Sequence, residues 1–203
     1  MAAAATYTGN PPVIGFSRCP AGGCDALVFG FDLSDPSYLP IYTQTQTLAR
    51  YAATGGSVWL ALLEETVIIG YAVVGHPSPY SRWSRAGMEN LLELTGVEVS
   101  NAFRNQGIAT QLLTHLFSDP RFDDLIIYLT AYAWSWDIAQ TGLTCDSYRD
   151  MLIHLYGKFG FVPYMTNEPN ISLKPENILM ARIGRNVTQK DRDRFKWLRF
   201  NIA

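Results

Sequence analysis

The sequence predicts a single α/β domain with a mixed central β-sheet and flanking helices. Three observations point to it: two consecutive apolar runs over residues 57–75, a strand–helix–strand succession over residues 88–131, and an amphipathic helix over residues 146–159 that leads into two short strands. With 203 residues, 48% of them apolar, the chain can bury a sizeable core without disulfides or a structural metal. The formal charge of -2 and the absence of a Lys/Arg stripe argue against nucleic-acid binding. Aromatic residues make up 13% of a chain with only 17% charged residues, so either the core is aromatic-rich or some rings line a cleft or a partner surface.

Residues 1–25 read as a flexible tail. They are rich in Ala, Gly and Pro and carry no basic segment followed by an apolar run, and no stretch of the chain approaches the roughly 18 apolar residues of a membrane span. Cytoplasmic localisation is the expectation. Cys19, Cys24 and Cys145 make an odd count; the first two are too widely spaced for a Cys-x-x-Cys pair, and His76, His115 and His154 show no ligand-like pairing. Reduced thiols and no metal are therefore expected.

Residues 26–203 are assigned to the domain, with a helical C-terminal extension. Residues 26–32 read as a first strand ended by Ser34, Asp35 and Pro36, and residues 38–53 as a polar helix stopped by Gly55 and Gly56. Residues 57–63 and 66–75, parted by Glu64 and Glu65, form an antiparallel hairpin. In the fourth strand, residues 88–100, Leu92 and Leu94 alternate, and Val97 and Val99 resume the alternation on the opposite parity across Gly96. Such a slip marks a β-bulge, and it places Glu93 and Glu98 together on the non-leucine face. Ile108, Leu112, Leu113, Leu116 and Phe117 form one helical face, and the apolar run 125–131 is a buried parallel strand reached by a right-handed crossover. Tyr148, Met151, Leu152, Leu155, Tyr156 and Phe159 repeat at helical spacing; residues 161–165 and 178–183 follow as strands, and residues 190–197 as a terminal helix.

The segment Val99-Ser-Asn-Ala-Phe-Arg104-Asn-Gln-Gly107-Ile-Ala109 joins a strand to an amphipathic helix. Small residues at Gly107 and Ala109 let successive N–H groups converge on an anion at the positive end of the helix dipole, as a pyrophosphate requires. It lacks the Gly-Lys-Ser/Thr ending of a Walker loop and the Gly-x-Gly-x-x-Gly of a dinucleotide turn.

The pattern Arg104-x-x-Gly107-x-Ala109 after a bulged strand, followed by a helix, a strand, a second helix and Tyr156-x-Lys158-x-Gly160-Phe161, resembles the GNAT N-acetyltransferase superfamily over residues 57–165. More narrowly, Arg82-Trp83-Ser84, Met88-Glu89-Asn90-Leu91, Trp134-x-Trp136-Asp137, Tyr148-Arg149, Asn167-Glu168-Pro169 and residues 179–184 (Leu-Met-Ala-Arg-Ile-Gly) resemble the AcuA-type acetoin-utilisation acetyltransferases. The resemblance implies the GNAT fold with a splayed fourth strand, acetyl-CoA as co-substrate, and a protein-lysine acetyltransferase that inactivates acetyl-CoA synthetase. It implies that Arg104, Asn105, Gln106, Gly107, Ile108, Ala109 and Thr110 hold the pyrophosphate, and that the backbone of Val97 and Val99 meets the pantetheine.

A lysine amine, with a pKa near 10.4, is about 99.9% protonated at pH 7, so transfer needs a base. Glu93, six residues before Val99, stands where the resemblance implies a catalytic glutamate; Glu98 and Glu89 are reserves, and an ion pair of Glu93 with Arg82 is the structural alternative. Tyr156 matches the family's proton donor for the leaving thiolate, and equally suits a core tyrosine. Arg149 replaces an asparagine frequent seven residues before that tyrosine. The Val99 N–H is the expected oxyanion donor. Trp134, Trp136 and Asp137 follow the parallel strand and are expected on the acceptor side, with Asp137 drawing the ammonium and the indoles flanking the lysine stem; core packing is the alternative for the tryptophans. A small-amine acetyltransferase and a non-catalytic acyl-CoA-binding module stay open as alternatives, as does a homodimer.

Overall fold

The computed structural model describes residues 13–20, 24, 26–34, 42 and 44–202. Strands β1 (Ile14–Arg18) and β2 (Val28–Phe29) and helix α1 (Phe31–Ser34) precede α2 (Thr45–Ala53), β3 (Ser57–Leu63), β4 (Val67–Gly75), α3 (Arg82–Arg85) and β5 (Leu91–Val99). Then come α4 (Ile108–Phe117), β6 (Ile126–Ala131), α5 (Ile138–Thr141), α6 (Cys145–Gly157), β7 (Val162–Pro163), α7 (Pro169–Ser172), β8 (Ile178–Ile183) and α8 (Gln189–Leu198).

The strands form one sheet in the order β1-β3-β4-β5-β6-β8-β7, with β2 pairing β4 in parallel. The β3–β4 hairpin turns at Glu64 and Glu65, both at positive φ, and β5 and β6 run parallel with α4 as their crossover. The expected bulge is present: Gly96 pairs with Val73 and Leu94 with Val74, so Thr95 is the extra residue of β5.

One face of the sheet packs Leu92, Leu94 and Val99 of β5 against Leu112, Leu113 and Leu116 of α4. The opposite face carries two separate clusters. Tyr71 and Val73 pack with Leu33 and with Leu48 of α2, while Tyr128 and Leu179 pack with Trp83 of α3 and Phe195 of α8. Between these clusters lies the polar side of β5. That gap positions the site.

Several sequence expectations change. The tail assigned to residues 1–25 contains β1, whose Ile14 to Arg18 pair antiparallel with Leu63 to Trp59 of β3; half-buried apolar side chains against an open sheet edge outweigh the lack of a long apolar run. Of the first strand assigned to 26–32 only Val28–Phe29 is strand, because Gly30 N–H closes on Ile68 C=O and the chain turns into α1. The helix expected over 38–53 spans 45–53 among the described residues; residues 35–41 and 43 lie outside them. The strand expected over 161–165 is limited to Val162–Pro163. Cys19 and Cys24, expected as free thiols, are joined in a disulfide, while Cys145 is free. Their separation excluded a Cys-x-x-Cys motif but not a closed loop: Cys19 N–H donates to Val58 C=O and Leu27 N–H to Cys24 C=O, bringing both buried sulfurs to the end of β1. No helix among the described residues is long and apolar enough to cross a membrane.

The Ile183-Gly184 step has a packing reason. Gly184 N–H donates to Leu125 C=O, and a Cβ on Gly184 would overlap the Asp123 backbone, so only glycine admits this approach.

Candidate active site

Strand β5 pairs with β6 only from Leu91 to Glu93, although β6 continues to Ala131. Beyond Glu93 the two parallel strands part. Ser100 N–H donates to Ile69 of β4, so by strand alternation the N–H groups of Val99 and Val97 point the other way, into the opening. The Val99 carbonyl on that side accepts from Arg104 Nε at 3.2 Å.

The opening leads to the turn before α4. Asn105 (φ 62) and Gly107 (φ 77) are both left-handed, and Gly107 is the N-cap of α4. The first intrahelical bond at this end runs from Gln111 N–H to Gly107 C=O, so the preceding N–H groups of Ile108, Ala109 and Thr110 have no partner within the helix. Asn105, Gln106 and Gly107 are exposed, and a Cβ on Gly107 would meet only open space; conformation, not crowding, demands glycine here. At the start of the turn, Asn101 N–H donates to the Asp32 carboxylate of α1. This combination fits a pyrophosphate at the helix end and an amide-bearing arm along β5.

Both glutamates of β5 lie on the face away from Leu92 and Leu94, each held by a tyrosine on a neighbouring strand. Tyr128 Oη donates to Glu93 Oε2 at 2.9 Å, and Tyr71 Oη to Glu98 Oε2 at 2.9 Å. Tyr71 Oη also accepts from Tyr42 N–H at 3.1 Å. Burial pushes the Glu93 carboxyl above its usual range, and the Tyr128 hydrogen bond opposes part of that rise. Burial likewise raises the phenols of Tyr71 and Tyr128, so both stay protonated donors at neutral pH. Arg82 does not pair with Glu93; its Nη1 donates to Asn167 Oδ1 at 2.6 Å. Glu89 is exposed and precedes the strand.

The Trp-x-Trp-Asp segment divides. Trp134, 64% exposed, stacks on Tyr132 at 4.4 Å, and Tyr132 lies within the electrostatic reach of Glu93. Trp136 stacks on Tyr148 of α6 at 5.1 Å. Asp137, expected toward an acceptor ammonium, is bound to Arg104 instead: Nη1 to Oδ2 is 2.7 Å. A carboxylate already paired to a guanidinium is a poor ammonium trap, and the pair ties the segment after β6 to the turn before α4.

Tyr156 is buried on α6 within the α4-side core, beside Phe161. Burial raises its phenol, with Tyr148 and Glu98 adding to the rise. Arg149 extends along α6 to Asp150 at 3.7 Å.

Sequence reasoning missed Tyr128 and Tyr71 as partners of the two glutamates. A signal existed: a tyrosine inside an otherwise aliphatic buried strand needs a partner for its hydroxyl. The Asp32 contact to Asn101 had no such signal.

Comparison with known proteins matches residues 29–161 to the acetyltransferase (GNAT) family. The chain is 37% identical over 166 residues to the acetoin utilization protein AcuA of Bacillus licheniformis, covering 81% of this chain and 79% of that protein. It is 38% identical over 176 residues to AcuA of Bacillus subtilis, covering 87% and 84%. The crystal structure of an acetoin utilization protein from Exiguobacterium sibiricum superposes with a TM-score of 0.80 at 26% identity, over 94% of this chain and 96% of that one. The structure of yncA of Salmonella typhimurium with its cofactor acetyl-CoA shares the fold, with a TM-score of 0.54 at 16% identity over 87% of this chain and 96% of its own.

Proposed function

The chain belongs to the GNAT acetyltransferase family, in its AcuA branch, and from that premise we propose that it is an acetyl-CoA-dependent protein-lysine N-acetyltransferase that inactivates acetyl-CoA synthetase. The observation that carries this reading is the half-buried Glu93 carboxylate, held by Tyr128 beside the point where β5 and β6 part.

Arg104 to Thr110 hold the pyrophosphate through the α4 end, and the Val97 and Val99 backbone groups hold the pantetheine amides along β5. Bound acetyl-CoA supplies an electrophilic thioester carbonyl. Everything else belongs to the protein. Glu93 takes the proton that keeps a lysine ammonium from acting as a nucleophile; its raised proton affinity brings its pKa closer to the operating pH, where a base works best. The Val99 N–H, aimed into the opening, is placed to meet negative charge developing on the carbonyl oxygen. Tyr156, kept protonated by burial, supplies a proton to the departing sulfur. Trp134 and Tyr132 offer stacked rings for the aliphatic stem of the acceptor, and Trp136 packs on the Tyr148 side.

The names of the relatives link the chain to acetoin utilization, and acetyl-CoA synthetase as the acceptor is what the resemblance to AcuA-type acetyltransferases implies. The test is to incubate the purified chain with acetyl-CoA and acetyl-CoA synthetase and map modified peptides by mass spectrometry. Acetyl-lysine on the synthetase with parallel loss of its activity is expected. Acetylation of polyamines or amino sugars with none on any protein of a host lysate would overturn the reading in favour of a small-amine enzyme.

A further inference from the structure

Positive charge is unevenly spread. Eight of the chain's 16 basic residues fall in residues 82–85 and 185–199, against two acidic ones, Asp191 and Asp193. The fold brings these segments together: Trp83 of α3 packs on Phe195 of α8 with ring centroids 6.2 Å apart, and Arg194 Nη2 donates to Ala86 C=O at 3.0 Å. Between α3 and the end of α8 opens a cleft of about 420 Å³ lined by Arg82, Arg85, Arg194, Met88, Trp197 and Leu198. Among the described residues no carboxylate lines it.

The three guanidiniums are spent mainly on neutral acceptors. Arg82 donates to Asn167 Oδ1 and Arg199 C=O, Arg85 to Tyr80 C=O, and Arg194 to Ala86 C=O, with Asp191 a loose 3.8 Å away. Bonds to carbonyls orient a guanidinium without neutralising it, so the cleft keeps net positive charge over an apolar floor. Trp197 is 49% exposed at its rim. Its place in the fold matters equally. The inner side of α3 carries Trp83, stacked at 4.5 Å on the Tyr128 ring whose hydroxyl holds Glu93. The cleft thus sits on the far side of the short helix that backs the catalytic carboxylate.

We propose that this cleft docks an acidic surface segment of the protein acceptor, with carboxylates on Arg85 and Arg194 and an apolar side chain against Trp197. The inference rests on the protein-lysine reading of the active site, since a small amine would have no second point of attachment. Opposite charge at a rim steers encounter and fixes orientation, so the cleft acts on acceptor KM rather than on the chemical step.

The test reverses charge with the double variant Arg85→Glu/Arg194→Glu. Its KM for acetyl-CoA synthetase should rise about tenfold and lose its salt dependence, while its kcat, its KM for acetyl-CoA and its KM for a short lysine peptide hold. Poly-glutamate should inhibit the parent competitively against the synthetase and change its tryptophan fluorescence, a change absent in Trp197→Phe. Should the double variant not fold, Arg85→Ala and a salt titration of the parent give the same readout at smaller amplitude. Unchanged synthetase KM, or poly-glutamate that leaves Trp197 unaffected, would overturn the proposal. A concentration-dependent dimer broken by the charge reversal, without poly-glutamate binding, would assign the cleft to a second copy. If the parent acetylates no protein, the protein-lysine reading and this proposal fall together; if it acetylates the synthetase with equal KM in the charge-reversed variant, the cleft proposal alone falls.

Discussion

The Tyr128 hydroxyl donates to Glu93 Oε2 at 2.9 Å, joining neighbouring parallel strands at the last residue pair before they separate. The bond fixes the carboxylate where β5 and β6 part. Tyr128 tempers a proton affinity that burial alone would push higher. Both effects can be measured.

Glu93→Gln should lower kcat by about 10²–10⁴-fold while KM for acetyl-CoA stays unchanged, read by thiol release. The same variant should be the more thermostable protein at neutral pH. The folded pKa of Glu93 lies above its unfolded value, so its contribution is fully present at pH below the usual carboxylate range and is lost as pH rises through the folded pKa. The Tm gap between Glu93→Gln and the parent should therefore open as pH rises from below the usual carboxylate range, about pH 4, to neutral and above. An equal gap at both ends would contradict the assignment of a half-buried, ionising Glu93.

Tyr128→Phe removes the group that lowers the Glu93 pKa. The ascending limb of the pH–rate profile should move to higher pH, and stability should fall by about 2 kcal/mol, typical of a lost hydrogen bond to a charged group. A shift of the limb to lower pH would assign the profile to another group.

Gly107→Ala tests the phosphate turn. Its Cβ meets open space, so the cost is the left-handed φ alone, on the order of 1 kcal/mol. The expected result is a small change in Tm with KM for acetyl-CoA raised about tenfold, as the N–H groups of the α4 end move out of register. An unchanged KM would remove the turn from the binding site.

The Arg104–Asp137 pair should show a double-mutant coupling of about 1 kcal/mol, measured by denaturation of Arg104→Ala, Asp137→Ala and the double variant, and diminishing with salt. Asp137→Ala should raise KM for acetyl-CoA more than KM for the acceptor, because the carboxylate serves Arg104. The reverse order would return Asp137 to the acceptor side.

The sequence by itself determined the parts ruled by local periodicity and backbone geometry. The hairpin at 57–75, the bulge signalled by the parity slip at Gly96, and the helices expected at 107–118 and 146–159 follow from side-chain spacing; glycine at the head of α4 reads from the sequence as room for close approach, and only the fold shows that a left-handed φ demands it. The common face of Glu93 and Glu98 was equally legible, since a single inserted residue reverses the alternation. The choice of partner for each charge was not. Arg82 was as available to Glu93 as to Asn167, and Asp137 as free to meet an amine as to meet Arg104; residues 85 and 33 positions apart come together only when α3, the turn before α4 and the segment after β6 are stacked on the sheet. β1 and the basic cleft between α3 and α8 were likewise decided in three dimensions. An edge strand is defined by the edge it joins, and a cleft by two helices that share no local pattern. Spacing along the chain sets which face a side chain takes, whereas hydrogen-bond and charge partners depend on distances that only packing sets.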